Sequence, residues 1–201
     1  MKILIIGGNG TIGKAVTAHL GKNNEVIVAG RSSGAISVDI TDSPSIKNMF
    51  EQLVKKLDAI ICIAGEAKWD DFDTLSEEDY YIGLKSKLMG QVNLVRIGRD
   101  YLRENGTITL STGILADHPV IKTASAAMVN GAIHSFVKAV ALELENGIKI
   151  NAVSSGLVED AYEKYKDYFV GHVPVPMQKV VTGYMESVMG NETGRIIKIY
   201  G

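Results

Sequence analysis

Three glycines spaced three residues apart follow directly on an apolar run near the start of the chain. The run covers residues 2–6, and the glycines are Gly7, Gly10 and Gly13. A helical pattern begins at once, because apolar side chains recur at four-residue spacing at Ile12, Val16 and Leu20. A buried strand, a tight turn and a helix whose first amides point at an anion are typical of a nucleotide-binding turn.

Each glycine has a distinct predicted role in this turn. Gly7 allows the sharp bend, Gly10 lets the backbone approach a pyrophosphate, and Gly13 permits close packing of helix on strand. The alternative is a flexible turn without a ligand, but the preceding strand and following helix favour binding. The predicted cofactor contacts of the turn are Gly7, Gly8, Asn9, Gly10, Thr11, Ile12 and Gly13.

Charge and cysteine content exclude several classes of function. The 21 Lys and Arg nearly balance the 23 Asp and Glu, with no run of either sign. Binding to nucleic acid or to a membrane surface therefore has no electrostatic support. The only cysteine, Cys62, can form no internal disulfide, which favours a reducing compartment. We expect a cytoplasmic protein without a signal peptide or membrane span.

Strand-like and helix-like runs alternate along all 201 residues. The predicted strands are residues 2–6, 25–29, 35–38, 59–63, 107–110, 149–153 and 196–199. The predicted helices are residues 11–21, 43–56, 76–82, 84–104, 125–145, 161–169 and 177–189. This alternation predicts a single α/β Rossmann domain over residues 1–201, with a doubly wound, mostly parallel, seven-stranded sheet and helices on both faces. Its ligand crevice should lie beyond the carboxyl ends of the strands.

The residues after the second strand indicate which dinucleotide is bound. An acidic residue here would hydrogen-bond the adenosine ribose of NAD, whereas a cation with hydroxyl neighbours suits a 2′-phosphate. Arg31 and Ser32 occupy this position and favour NADP(H). The alternative is a solvated loop arginine with no ligand.

The next two strand ends continue the predicted cofactor face. Asp39 and Ile40 follow the third strand, where a carboxylate could hold the adenine amino group. Small and apolar residues follow the fourth strand and let a dinucleotide lie on the backbone: Cys62, Ile63, Ala64 and Gly65. The Cys62 thiol is interpreted as an inert core group, since it has no basic neighbour in sequence.

With these features, the chain resembles the short-chain dehydrogenase/reductase family over nearly its full length. The resemblance is carried by the glycine turn, Asp-Ile-Thr at residues 39–41, Ile-Ala-Gly at 63–65, the helical segment 131–144, Asn-Ala-Val-x-x-Gly at 151–156, and Thr-Gly-Arg-Ile at 193–196. The resemblance implies further cofactor contacts at Ser155, Gly156 and Leu157. It also implies a homodimer or homotetramer that pairs the helices at residues 84–104 and 125–145 across a two-fold axis.

The chain departs from the family at the catalytic pair. Most members carry Tyr-x-x-x-Lys, in which the tyrosine transfers a proton and the lysine holds the nicotinamide ribose. Alignment of the helical segment without a gap places Ala126 at the tyrosine position and Asn130 at the lysine position. Ala126 has no transferable proton, whereas Asn130 could still hydrogen-bond a ribose hydroxyl.

Other candidate catalytic residues remain. The family's catalytic serine corresponds to Ser111 or Thr112, with the alternative that both are ordinary turn hydroxyls. Lys87 stands where the family has an active-site asparagine, so it could replace the lost cation and, if desolvated, relay protons. The alternative for Lys87 is a solvated surface lysine next to Lys85.

Weaker candidates surround the predicted substrate loop. His118 and Lys122 lie after the fifth strand, and Trp69 is a possible pocket wall. Aromatic residues spaced for one helix face lie in the position of the family's substrate loop: Tyr162, Tyr165, Tyr168 and Phe169. Packing is the alternative role for that face. No His, Cys, Asp or Glu spacing matches a metal site.

Three functions are compatible with this sequence. The favoured hypothesis is an NADP(H)-dependent oxidoreductase of a small carbonyl or alcohol substrate, with an unusual proton donor. A catalytically inactive NADP(H)-binding sensor would explain Ala126 directly. A relative of nucleotide-sugar or quinone reductases shares the glycine spacing, but such proteins generally have more chain after the sixth strand.

Overall fold

A computed structural model describes residues 1–53 and 56–201. Its strands form one parallel sheet in the order β3-β2-β1-β4-β5-β6-β7, which confirms the predicted Rossmann architecture. The strands are β1 (Lys2–Ile6), β2 (Glu25–Gly30), β3 (Ile36–Ser37), β4 (Leu57–Cys62), β5 (Leu102–Gly113), β6 (Lys149–Ser155) and β7 (Ile196–Ile199). The strand order reverses between β1 and β4, and their carboxyl ends therefore border a crevice.

The helices cover both faces of this sheet. They are α1 (Thr11–Leu20), α2 (Ser43–Glu51), α3 (Glu77–Gly83), α4 (Gly90–Gly98), α5 (Ala124–Val140), α6 (Tyr162–Tyr165) and α7 (Met177–Met189). A π-helical segment, Leu84–Met89, joins α3 to α4. Among the described helices, none combines the length and hydropathy that crossing a bilayer requires.

Alternation along β1 divides the apolar core into two layers. Ile3 and Ile5 pack with α1 and α7 on one face, whereas Leu4 and Ile6 pack with α2, α4 and α5 on the other. Burying each such side chain contributes about 1.5–3 kcal/mol. A third apolar cluster lies beyond the strand ends: Ile114, Leu115, Ala126, Leu157 and Phe169. This third cluster forms the floor of the site described below.

The predicted helix over residues 84–104 is wrong at its C-terminal end. Helix α4 ends at Gly98, a short 3-10 turn follows, and β5 already begins at Leu102, which pairs with Leu57 of β4. A Cβ on Gly98 would lie 2.7 Å from the Phe50 ring, so this glycine permits close packing of α4. Strand pairing thus overrides the helical pattern of the last residues.

Three other helices are shorter than their patterns predict. Helix α5 ends at Val140, and the chain turns through Asn146 and Gly147, which both have positive φ. Helix α6 covers only Tyr162–Tyr165 of the predicted residues 161–169. Helix α2 ends at Glu51, and the predicted extension to residue 56 includes residues 54 and 55, which lie outside the described part of the chain.

Candidate active site

The turn between β1 and α1 has backbone geometry that requires glycine at two positions. Gly7 has a φ of 82°, a left-handed conformation. A Cβ on Gly13 would lie 2.1 Å from the Gly7 carbonyl oxygen, closer than any packing arrangement tolerates. A Cβ on Gly10 would lie 3.4 Å from the same oxygen, which is close to ordinary contact. Gly7 and Gly13 therefore shape the turn, while Gly10 leaves its outer surface open.

A cavity of about 360 Å³, here called the turn cavity, lies against this turn. Its walls come from the ends of β1, β2 and β4 and from the segment after β3: Ile6, Gly7, Asn9, Gly10, Gly30, Arg31, Ser33, Val38, Ile40, Ala64, Gly65, Glu66 and Ser86. The structure thus brings together the predicted contacts of four separate segments. Ser33, rather than the predicted Ser32, lines this cavity together with Arg31.

Arg31 forms an ion pair across the opening of the turn cavity. Its Nη2 lies 3.2 Å from Oε1 of Glu66, the residue that follows Gly65. Both side chains are more than half exposed, at 64% and 59%, so water screens the pair. The guanidinium is therefore held weakly and remains available to an anionic ligand.

Asp39 is held in place by the segment that leads into α2. Its Oδ1 accepts hydrogen bonds from the Thr41 amide at 2.9 Å and the Thr41 hydroxyl at 2.7 Å. These bonds, led by the amide, hold the pKa of Asp39 below its usual range. The carboxylate is thus fixed and ionised next to Ile40, which lines the turn cavity.

The end of β4 brings the chain close to the π-helical segment. Gly65 has a φ of 123°, and a Cβ on it would lie 2.9 Å from the Lys87 Cα and 3.0 Å from its Cδ. Gly65 therefore lets the backbone and stem of Lys87 lie directly against the β4 end. Burial raises the pKa of the Cys62 thiol to about 11, which supports its interpretation as an inert core group.

Lys87 lines a second cavity and has no counter-ion among the described residues. Its ammonium makes no hydrogen bond or ion pair with the residues that the structure describes. Burial lowers the pKa of Lys87 below its ordinary value of 10.5, and the nearby Cys62 thiol opposes this effect only in part. A desolvated cation without a partner is costly in free energy, and such groups commonly mark binding sites.

Gln91 fastens the Lys87 segment to β5. Its amide nitrogen donates to the carbonyl oxygens of Lys87 at 3.2 Å and Ser111 at 3.0 Å, and its Oε1 accepts from the Ser111 amide at 2.9 Å. Gln91 is fully buried. Gln91 was not among the predicted site residues, although a glutamine among apolar helix positions was a visible signal.

The second cavity, here called the aromatic cavity, has a volume of about 440 Å³. One wall consists of Trp69, Tyr165 and Phe169, and the ring centroids of Trp69 and Tyr165 are 5.4 Å apart. An ion pair of 2.8 Å between Lys122 and Asp71 ties the Trp69 loop to the segment after β5. Gly65 and Glu66 line both cavities, which therefore meet and form one cleft.

The two hydroxyls at the end of β5 point to opposite faces of the sheet. Ser111 Oγ donates to the Cys62 carbonyl at 2.5 Å and shares a hydrogen bond of 2.6 Å with the buried Tyr184 hydroxyl. Thr112 lines the aromatic cavity, and its Oγ1 lies 2.9 Å from Nε2 of His134. Of the two candidates, the structure places only Thr112 at the cleft, and Ser111 belongs to the core beneath β5.

Comparison with known proteins identifies the family. The family model described as "Enoyl-(Acyl carrier protein) reductase" matches residues 14–172. This chain belongs to the short-chain dehydrogenase/reductase family. The crystal structure of the protein lin1944 from Listeria innocua is 46% identical, with a TM-score of 0.97 and full coverage of both chains.

Two further short-chain dehydrogenase relatives bear on the cofactor and the substrate. The crystal structure of a small-chain dehydrogenase in complex with NADPH is 27% identical, with a TM-score of 0.88, and covers 100% of this chain and 96% of that one. A hydroxynaphthalene reductase-like protein Arp2 from Metarhizium guizhouense is 24% identical over 207 residues, covering 90% of this chain and 78% of that protein.

The two residues predicted at the family's catalytic positions line the cleft. Ala126 and Asn130 both face the aromatic cavity from α5. Asn130 is 6% exposed, and its Oδ1 is a buried acceptor without a hydrogen-bond partner in the part of the chain that the structure describes. An unsatisfied buried acceptor costs about 1–3 kcal/mol, so this oxygen is poised for a hydroxyl donor.

Other predicted positions fall around the same cleft. Ser155, Gly156 and Leu157 line the aromatic cavity, as Ile12 does. His118 is exposed and packs edge-on against Tyr200 rather than facing the cavity. Within residues 1–53 and 56–201, no three His, Cys, Asp or Glu side chains converge on a metal-binding arrangement.

Proposed function

We propose that this short-chain dehydrogenase/reductase is an NADP(H)-dependent oxidoreductase that acts on a small carbonyl or alcohol substrate. The observation that carries the proposal is the position of Lys87, whose backbone and stem lie against Gly65, where the two cavities meet, and whose ammonium has no counter-ion among the described residues. A cation there suits either the ribose at the nicotinamide end of a dinucleotide or the oxygen of a substrate.

The residues of the cleft fit NADP(H) along its length. The turn cavity supplies open backbone at Gly10 for a pyrophosphate, with Arg31 and Ser33 for a 2′-phosphate. The orphaned Oδ1 of Asn130 fits a ribose hydroxyl. The relative in complex with NADPH supports this choice of cofactor. When bound, the reduced nicotinamide supplies the hydride.

The chain's own residues then have different roles at the substrate carbonyl. Lys87 holds the ribose or the substrate oxygen electrostatically, which replaces the cation lost at Asn130. The Thr112 hydroxyl orients the carbonyl from the wall of the aromatic cavity. Ala126 has no transferable proton, so the family's tyrosine mechanism is not available to this chain.

The aromatic cavity favours a substrate with a flat apolar body. Trp69, Tyr165 and Phe169 offer ring surfaces, and Leu115 and Leu157 add aliphatic contacts. The hydroxynaphthalene reductase-like relatives are named for substrates of this shape, which supports the proposal at the level of substrate class.

Binding and turnover assays test this function. Titration with NADPH and NADH by fluorescence should show tighter binding of NADPH. Oxidation of NADPH should then depend on an aromatic carbonyl probe such as 2-naphthaldehyde or 9,10-phenanthrenequinone. Tighter binding of NADH would contradict the cofactor assignment. NADPH binding without turnover of any probe would instead favour an NADP(H)-dependent sensor, the function that Ala126 would explain.

We further propose that α4 and α5 pair with a second copy of the chain. Met128 on α5 is 42% exposed, and Gly131 has no neighbour within 4 Å of a Cβ position, which leaves a flat, apolar surface. Ile133, on the same helix, faces the other way and is fully buried in the core. Sedimentation should show a homodimer or homotetramer at micromolar concentration, and a monomer would contradict the pairing.

A further inference from the structure

A buried hydroxyl–imidazole pair lies directly behind the wall of the aromatic cavity. Thr112 Oγ1 and His134 Nε2 are 2.9 Å apart, and the two residues are only 6% and 9% exposed. Thr112, on β5, lines the cavity, and His134, on α5, lies behind it. The imidazole is therefore one hydrogen bond away from the cavity wall.

The second ring nitrogen of His134 is the other proton-transfer atom of this pair. Nδ1 makes no hydrogen bond with the residues that the structure describes, and 9% of the His134 surface is exposed to solvent. A neutral imidazole can take up a proton at one nitrogen while it releases one from the other. The pair therefore links the cavity to solvent through two side chains.

Charged groups on three elements face His134. Asp117 lies in the loop after β5, Lys198 lies on β7, and Lys138 lies on α5 itself. Burial is the largest influence and lowers the pKa of His134 below its ordinary value of 6.5; Asp117 opposes this effect and the two lysines add to it. The imidazole is therefore neutral near pH 7, the form that can pass a proton in either direction.

We propose that Thr112 and His134 form the proton relay of this active site, in the place of the tyrosine whose position Ala126 occupies. The inference rests on the proposed reductase function. In reduction, the carbonyl carbon accepts a hydride, with its two electrons, from NADPH, which is oxidised to NADP⁺. The carbonyl oxygen takes the proton of the Thr112 hydroxyl. Thr112 then regains a proton from His134 Nε2, and His134 Nδ1 takes a proton from water. Alcohol oxidation reverses each transfer.

The hydrogen bond itself can be tested without substrate or cofactor. In protein labelled with ¹⁵N at histidine, the His134 resonances should titrate with a pKa below 6.5. The Thr112→Val variant removes the hydroxyl and should move the Nε2 resonance. A His134 spectrum that is the same in wild type and Thr112→Val would show that the pair does not form, and the relay would be overturned.

The transfer is tested with His134→Gln, which keeps a hydrogen-bonding side chain but cannot relay a proton. Reduction of 2-naphthaldehyde by NADPH should fall about 100-fold, within the usual contribution of a general acid. The Kd for NADPH should change less than about twofold, since His134 lies outside both cavities. Ser135→Gln is the matched control on an exposed neighbour of the same helix and should keep the wild-type rate.

The pH profile separates a relay from a structural role. Oxidation of 2-naphthylmethanol by NADP⁺ should decline as the pH falls through the pKa of His134, because an imidazolium cannot accept the proton. This decline at low pH should be absent in His134→Gln. A His134→Gln variant with the wild-type rate and the same decline would contradict the relay but not the reductase function. A wild type that binds NADPH but reduces neither 2-naphthaldehyde nor 9,10-phenanthrenequinone would overturn the reductase proposal together with the relay.

Discussion

The turn cavity and the aromatic cavity belong to one cleft but are built from different parts of the chain. Backbone and small residues at neighbouring strand ends form much of the turn cavity, with Gly7, Gly10 and Ala64 at its centre. Side chains from β5, α5 and the segment after β6 form most of the aromatic cavity, together with Trp69. The first therefore depends on local geometry, and the second depends on long-range packing.

This difference would allow a chain to keep one half of the family's site while the other half diverges. A backbone surface contacts a dinucleotide without specific side chains, so the turn cavity constrains few residue identities beyond its glycines. The aromatic cavity depends on single side chains, and Ala126, at the position predicted for the family's tyrosine, is buried within an intact Rossmann fold. Chemistry can diverge at the second cavity without any change at the first.

The largest effect is expected at two glycines of the turn, because one is needed for folding and the other for binding. Gly13→Val places a side chain 2.1 Å from the Gly7 carbonyl oxygen and should lower the free energy of unfolding by about 3 kcal/mol or more. Gly10→Ala, with a contact of 3.4 Å, should fold normally but weaken NADPH binding about tenfold or more. Urea denaturation and NADPH titration measure the two effects.

The two glycine variants act as controls for each other. Equal destabilisation by both would show that Gly10 also shapes the turn. Normal NADPH binding by Gly10→Ala would show that the pyrophosphate does not lie on this surface. That result would contradict the comparison between the two cavities.

Lys87→Met tests the junction of the two cavities. Loss of a charge-assisted hydrogen bond removes about 1.5–3 kcal/mol, so NADPH binding or turnover should fall about 10- to 100-fold. Lys87→Arg keeps the charge and should recover binding in part. Lys85→Met is the matched control, since Lys85 is exposed on the same π-helical segment and lines neither cavity. Equal losses in the Lys85 and Lys87 variants would contradict the assignment.

Lys87→Met should weaken NADPH binding but increase the stability of the folded protein. Because the pKa of Lys87 is lowered in the folded state, the unfolded chain binds the extra proton between that pKa and 10.5. Native stability therefore rises with pH across this window. Lys87→Met should raise the thermal midpoint near pH 7 and flatten the rise. A lower midpoint would mean that the ammonium is already stabilised by contacts within the protein.

Local signals in the sequence predicted the turn cavity well. The glycine spacing, the strand before it and the helix after it define a turn whose geometry depends on few distant contacts. Exceptions occur where the conformation of a loop determines which side chain lines the cavity. Ser33 rather than Ser32 lines the cavity, because the chain turns through Gly34 with a φ of 127°.

The aromatic cavity was harder to predict, because its residues meet through tertiary contacts. The choice between Ser111 and Thr112 required the face of β5 to which each points. Gln91 and His134 were missed because their partners, Ser111 and Thr112, lie about one strand–helix unit away along the chain. Sequence periodicity places a side chain on a helix face, but it does not name the group that the side chain meets.

Arg31→Ala should weaken NADPH binding by about tenfold and leave NADH binding nearly unchanged. The guanidinium is exposed, so its contact with a 2′-phosphate is weaker than that of a buried pair. Calorimetry with both cofactors measures the effect. Equal losses for NADPH and NADH would show that Arg31 supports the turn cavity generally rather than the extra phosphate.

The smallest expected effect concerns Glu66, the partner of Arg31. In the free protein the Glu66 carboxylate lies 3.2 Å from the guanidinium, and it would compete with a bound 2′-phosphate for the same cation. Exposed ion pairs contribute about 0.2–1 kcal/mol, so Glu66→Gln should tighten NADPH binding by only about two- to fivefold. NADH binding should not change, since it carries no 2′-phosphate. Raised salt should shrink the difference between Glu66→Gln and wild type, because screening weakens the competing ion pair. A Glu66→Gln variant that binds NADPH less tightly would instead show that the carboxylate orients Arg31 toward the ligand.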